Sequence, residues 1–263
     1  METEKLNQVI SPFLIEGTVS KISPLGNGLI NDTYKIETKE DNFPDYVLQR
    51  VNNEVFTDVD LLQHNIEVVT NHIREKLQKQ GESELDRKVL RFIPTKEGKT
   101  YFKDSDGKYW RISVFIPDAK TYELVDAAHS YDAGKAFGHF QSMLTDVPEQ
   151  LGETIPDFHN MELRMNQLRE AVEANPVGRV AEVQDMLDEL ETHANEMCKA
   201  EQLYRDGKLK KRICHCDTKV NNMLFDENGT VLCVIDLDTV MPSFIFSDYG
   251  DFLRTGANTV AED

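Results

Sequence analysis

Between residues 18 and 51 the apolar positions come in short clusters: Val19 and Ile22, then Tyr34 and Ile36 within the run 33–36, then Tyr46, Val47 and Leu48, with polar turns between them. Clusters this short, rich in β-branched and aromatic residues, predict strands, and their close succession predicts an antiparallel meander. The period then changes. After Asp58, a residue type suited to an N-cap, apolar side chains fall at Leu62, Ile66, Val69, Ile73 and Leu77, the three-or-four spacing of one helix face. Residues 89–93, 99–103 and 109–116 read as further strands, with Asp106 and Gly107 marking a hairpin turn and Pro117 ending the sheet. Beyond that point the pattern is helical. One stripe comprises Ala133, Phe137, Phe140 and Leu144, a second Met161, Met165, Leu168 and Val172, and a third Val180, Val183, Leu187, Leu190, Ala194 and Met197. All three are expected to be core. The switch from strand-rich to helical at 117–121 predicts an α+β chain in two parts, an N-terminal lobe of residues 1–117 and a helical C-terminal lobe of residues 118–263.

Composition narrows the partners. A formal net charge of -18, from 47 acidic against 29 basic residues, opposes broad contact with nucleic acid or anionic lipid, both of which need a basic face. Apolar runs such as 231–235 are too short to cross a bilayer, and the first residues lack an apolar signal core, so the expected location is cytoplasmic. In a reducing compartment Cys198, Cys214, Cys216 and Cys233 are expected as free thiols. Cys214-His215-Cys216 is not expected to bind zinc, because alternate residues of an extended strand point to opposite faces.

One segment carries recognisable chemistry. From Ile213 the chain runs His215, Cys216, Asp217, Thr218, Lys219, Val220, Asn221, Asn222, followed by a strand at 223–225, a turn at Asn228 and Gly229, a strand at 231–235, and Asp236. Phosphoryl transfer needs a carboxylate on the attacking hydroxyl and oxygen ligands for magnesium on the phosphates. His215, Asp217 and Asn222 meet the kinase spacing of His, any residue, Asp, four residues, Asn, and the hairpin returns the chain so that Asp236 joins Asn222. Carboxylates are abundant in this chain, and most are expected to be solvated surface. Asp236 stands apart because it closes an apolar strand, where an acid needs a partner or a metal. His215 is expected to orient the loop, and Lys219 either to contact the γ-phosphate or to be exposed.

This segment resembles the aminoglycoside phosphotransferase and choline kinase superfamily. It is most similar to N-acetylhexosamine 1-kinases, through the runs 217–222, 235–242 and 248–258. The resemblance implies a protein-kinase-like two-lobed fold, with an antiparallel-sheet N-lobe and a mainly helical C-lobe. It also implies ATP and magnesium as cofactors and a sugar or amino-alcohol as substrate. Asp217 would be the base that takes the proton of an anomeric hydroxyl, Asn222 and Asp236 would hold magnesium, and Asp217, Asp238, Asp248 and Arg254 would bind the acceptor. Chains of that group continue with more helices, so an ending soon after Asn258 reads as a truncated C-terminus. A monomer is compatible with these residues.

The N-terminal half agrees. Gly26, Asn27 and Gly28, leading to Thr33, form a glycine turn similar to the nucleotide-covering loop of the superfamily, and a Walker loop is absent. A plain hairpin is the competing reading. Where kinases carry a phosphate-binding Lys on the third strand, this chain has Gln49 and Arg50; alternation allows one of them, not both, to face the nucleotide, and Gln49 is preferred. Glu67 on the following helix is the nearest partner for such a group, or else solvated. Phe115 and Ile116 would form the hinge that reads adenine through backbone groups. Two other functions fit these motifs: a kinase of another small alcohol, such as an aminoglycoside, choline or homoserine, and a nucleotide-binding protein without turnover.

Overall fold

The structure, a computed structural model, describes residues 2–26 and 30–258. Asn27 and Gly28 of the glycine turn lie outside them. The chain opens with a helix that the apolar pattern did not announce, α1 (Glu2–Ile10). It is followed by strands β1 (Val19–Pro24), β2 (Asp32–Thr38) and β3 (Tyr46–Val51), helix α2 (Val59–Lys79), a single turn α3 (Leu85–Lys88), and strands β4 (Phe102–Lys103) and β5 (Tyr109–Val114). The strands form one antiparallel sheet in the order β1-β2-β3-β5-β4. Period-2 alternation sends Ile36, Leu48 and Ile112 to one face, where Leu6, Val9 and Ile10 of α1 and Phe13 cover them.

Two of the expected strands are cut short. Along 89–93 the pairing reduces to a bridge of Phe92 with Ser113, flanked by Ile93 N–H to Ile112 O and Val114 N–H to Arg91 O. The run 99–103 keeps only β4. Both segments compete for one free edge of β5, so neither extends along it. The hairpin between β4 and β5 is as expected: Asp104 Oδ1 accepts the amides of Asp106 and Lys108, and Gly107 takes the positive φ that a tight turn requires.

Helix α2 begins where predicted, with Asp58 Oδ1 accepting the Leu61 amide at 2.9 Å. Its stripe Leu62, Ile66, Val69, Ile73 and Leu77 is buried, and it packs on Phe140, Met143 and Leu144 of the helical part as well as on Leu237 and Val240. Deep among them, Asn65 donates to Gly152 O at 2.8 Å and to Val240 O at 2.9 Å. This helix therefore joins the sheet to everything that follows.

The remainder comprises α4 (Ala127–Met143), α5 (Met161–Ala174), α6 (Gln184–Met197), α7 (Lys199–Arg205), β6 (Arg212–Cys214), β7 (Met223–Phe225), β8 (Val231–Val234), β9 (Met241–Ser243) and α8 (Ile245–Gly256). The stripe on α4 is core, with Ala133, Phe137, Phe140 and Leu144 buried. The stripes on α5 and α6 are not. Of the second only Met165 is buried and of the third only Ala194, while Val183 and Leu190 are 42% and 41% exposed. Periodicity marks an amphipathic face but not what lies against it, and these two helices meet each other and solvent. Strands β7 and β8 form the expected hairpin, and β6 pairs with β9. Glycine at 229, with φ +81, is also required sterically, since a Cβ there would collide with the His129 ring. No helix among the described residues is long and apolar enough to cross a membrane.

Candidate active site

The loop 215–222, between β6 and β7, is held from beneath by one face of α8. Asp248 Oδ2 accepts the His215 amide at 2.9 Å and Asp248 Oδ1 the Cys216 amide at 2.8 Å. Asp251 Oδ2 accepts the Thr218 amide at 2.5 Å, and Thr255 Oγ1 the Val220 amide at 3.1 Å. Positions 248, 251 and 255 are one, two and three turns along a single helical face, so the helix supplies acceptors at the pitch at which the loop presents donors. Burial raises the Asp248 pKa, against the lowering effect of the two amides. His215 is fully buried between Phe137 and Phe140, its Nε2 2.9 Å from Ile235 O and its Nδ1 accepting the Asp217 amide at 3.3 Å. The imidazole thus joins this loop to the end of β8. Cys216 adopts φ +65, a conformation that costs a non-glycine residue energy and turns the chain just before Asp217.

Asp217 is half-buried and triply held. Asn222 Nδ2 donates to its carbonyl at 2.8 Å and to its Oδ2 at 2.9 Å, and Lys219 Nζ lies 3.1 Å from Oδ2. Asp236 follows β8 in the left-handed region, φ +57, and is tied to the same loop because the Ile235 amide donates to Asn222 O at 2.9 Å. The residue as a whole keeps exposed surface, while the protein packed around its carboxyl partly desolvates it. That enclosure, together with the charge of Asp238, pushes its pKa up to about 6. A cation beside such a carboxylate would favour its charged form. With Asn222 Nδ2 turned to Asp217, its Oδ1 is left to serve as a second oxygen ligand, so Asn222 and Asp236 fit a hard cation such as magnesium, which takes one or two carboxylates and completes its shell with phosphates and water.

On the sheet side of the cleft, Gln49 and Arg111 are register partners across β3 and β5. Arg111 Nε donates to Gln49 Oε1 at 3.0 Å, and Arg111 Nη1 lies 2.6 Å from Asp238 Oδ1, off the line of an aligned hydrogen bond. Asp238 Oδ2 accepts from Asn31 Nδ2 at 2.8 Å, just after the glycine turn. Arg50 points to the opposite face and pairs with Asp32. Glu67 accepts from the Thr100 hydroxyl and pairs with no cation among the described residues. Gly26 has φ +71, and the Leu25 N–H donates to Thr33 O at 2.9 Å. Beyond β5, the Phe115 amide donates to Asp45 O and Ile116 is buried, before Lys120 pairs with Phe225 of β7.

A model of the phosphotransferase enzyme family matches residues 21–262. The chain belongs to that family. Among solved structures, this phosphotransferase is similar to a choline kinase from Streptococcus pneumoniae, at 18% identity and TM-score 0.53, covering 98% of this chain and 76% of that one. It is similar to an aminoglycoside phosphotransferase in complex with GDP and kanamycin, at 16% identity and TM-score 0.62, covering 96% and 78%. A microcompartment-associated aminopropanol kinase matches at 17% identity and TM-score 0.60, covering 95% and 74%. At these identities the likeness is one of fold: the kinase-like arrangement of an antiparallel-sheet lobe and a helical part.

In this phosphotransferase the expected His215, Asp217, Lys219, Asn222 and Asp236 come together. Gln49 lies with Thr33 and the cleft-side network, and Arg50 does not. Asp238 and Asp248, expected to meet the acceptor, instead turn their carboxylates inward, to Arg111 with Asn31 and to the loop amides respectively. Asp248 is already hydrogen-bonded through both oxygens, and the Asp238 charge is already paired with Arg111. Arg254 pairs with Asp251 at 2.9 Å. Sequence reasoning missed Arg111, the one charged residue in the largely apolar run of β5, and that anomaly was its signal. It also missed the cradle role of Asp248, Asp251 and Thr255, readable as a polar stripe on an amphipathic helix.

Proposed function

We propose that this phosphotransferase moves the γ-phosphoryl group of ATP to the anomeric hydroxyl of an N-acetylhexosamine, giving the sugar 1-phosphate and ADP. The observation that supports the reaction type is the junction of Asp217, Asn222 and Asp236, where two carboxylates and an amide oxygen are brought together on one loop and its returning strand. The hydroxyl oxygen forms a bond to the γ-phosphorus as the bond to the β–γ bridging oxygen breaks, and Asp217 takes the proton. Lys219 and Asn222 keep that carboxylate aimed. Asn222 and Asp236 would hold magnesium, which when bound neutralises the phosphate charge. Gln49, Thr33 and Gly26 line the phosphate end, the backbone at Phe115 and Ile116 meets the base, and the hinge there divides the lobes 1–117 and 118–263.

The sugar assignment rests on the likeness of the runs 217–222, 235–242 and 248–258 to N-acetylhexosamine 1-kinases. A second reading, an amino-alcohol or aminoglycoside acceptor, draws on the structural neighbours, named as kinases of choline, aminopropanol and aminoglycosides. The net charge of -18 would attract such cations. ADP release with ATP and magnesium across N-acetylglucosamine, N-acetylgalactosamine, choline, aminopropanol and kanamycin, with Asp217→Asn as control, separates them. Turnover confined to the acetylated sugars supports the first reading, turnover with an amine the second, and none with any acceptor overturns both.

A further inference from the structure

Strand β3 lacks the lysine with which kinases grip phosphate, and the cation on that face comes from its neighbour. Arg111 of β5 is 2% exposed. Two of its partners bear on the site: Asp238, two residues beyond Asp236, and Gln49, the residue opposite it in the sheet. Arg111 Nη1 also donates to Gln63 Oε1 of α2 at 3.3 Å. Because Gln49 Oε1 is turned to Arg111, the Gln49 amide nitrogen must face the other way, and it lies 3.4 Å from Thr33 Oγ1 on β2, at the foot of the glycine turn. A buried ion pair contributes little net stability compared with apolar residues of the same volume. What this one does contribute is geometry, because it fastens a strand of the sheet to the segment that carries Asp236.

We propose that Arg111 is the positioning residue of the nucleotide grip: it aims the Gln49 amide, beside Thr33, as a neutral donor to the nucleotide phosphates, and locks that donor through Asp238 to the Asp236 segment. The inference rests on the kinase reading above. Neutral donors in place of an ammonium would leave the phosphate charge to a cation that Asn222 and Asp236 would hold, so grip depends on both ends being held in register. A lysine at 111 would keep the charge facing Asp238 but lose the planar fork that reaches Gln49 at the same time.

The test is calorimetric titration of MgADP into wild type, Arg111→Lys, Gln49→Ala and the double variant, with thermal unfolding of each. The expected result is that Arg111→Lys unfolds close to wild type but binds MgADP about ten-fold more weakly or worse, that Gln49→Ala loses as much, and that the double variant loses no more than either single. Additive losses, or a folded Arg111→Lys with affinity within about two-fold of wild type, would overturn it. If Arg111→Lys does not fold, Gln49→Ala decides: the same loss in a folded protein supports the inference, and unchanged affinity rejects it. Wild type that binds no MgADP removes the kinase reading and this inference together. Wild-type binding with unaltered variants removes this inference alone.

Discussion

Asn222 and Asp217 are joined by one side-chain nitrogen: Asn222 Nδ2 reaches both the Asp217 carbonyl, at 2.8 Å, and its Oδ2, at 2.9 Å. The carboxylate is thereby fixed relative to its own backbone, with Lys219 on the same oxygen. An amide at 217 still accepts the Asn222 hydrogen bond but cannot take a proton. Asp217→Asn should therefore melt like the wild type and bind nucleotide, while turnover falls by about three orders of magnitude. Comparing ADP release with calorimetric affinity checks this.

Asp248 holds the opposite side of the same loop. Replacing it with alanine strands the His215 and Cys216 amides and the Gln141 side chain, all of which donate to it. Hydrogen bonds to a buried charge are the strong kind, and Asp248→Ala should cost roughly 3–5 kcal/mol in denaturant unfolding along with nearly all activity. Asp248→Asn, which keeps one acceptor, should cost less than half as much.

The Asp236 pKa, pushed up to about 6, gives a pH dependence whose sign is set. The folded value lies above that of an unfolded aspartate, so between the two the folded state binds more protons, and stability falls as pH rises through that window. Above pH 6 the penalty is fully present in the metal-free protein. Asp236→Asn should stabilise the metal-free protein at pH 7.5 by on the order of 1 kcal/mol, allowing for solvent screening of this exposed residue. The gain should vanish near pH 4, and the variant should lose magnesium-dependent stabilisation. Thermal melts at both pH values, with and without magnesium, test it.

Asn65 is buried at the junction of α2 with the helical part, where it serves two carbonyls. Asn65→Leu suits the stripe around it but leaves Gly152 O and Val240 O without donors, and should destabilise by roughly 2–4 kcal/mol. If unfolding instead shows a gain, the polar latch is dispensable.

Two leucines contrast the helical stripes. Leu62 on α2 has no exposed surface and Leu190 on α6 is 41% exposed. Truncation to alanine should cost about 3 kcal/mol at Leu62 and no more than about 1 kcal/mol at Leu190. Equilibrium unfolding in urea measures both.

Much of this was legible in the chain. Local rules sufficed where the partner is near in sequence: the α2 stripe and its Asp58 cap, the Asp106-Gly107 turn, and the 223–225 and 231–235 hairpin. The order His215, Asp217, Asn222, Asp236 is likewise a spacing within one short stretch. The strands at 89–93 and 99–103 were overestimated because competition for one edge of β5 is not written in either segment, and the stripes of α5 and α6 carried no statement of what they would face.

Sequence by itself determined the residue types and spacings from which the loop, the hairpin and the amphipathic helices follow, since backbone hydrogen bonds and turn sterics act over a few residues. Only the tertiary structure decided which carboxylates are free for chemistry. Asp217 and Asp236 keep surface open to solvent, while Asp238 is claimed by Arg111 from a strand more than a hundred residues away and Asp248 by amides of another segment. Composition makes all four alike; burial and the donors brought to each by long-range packing make them different.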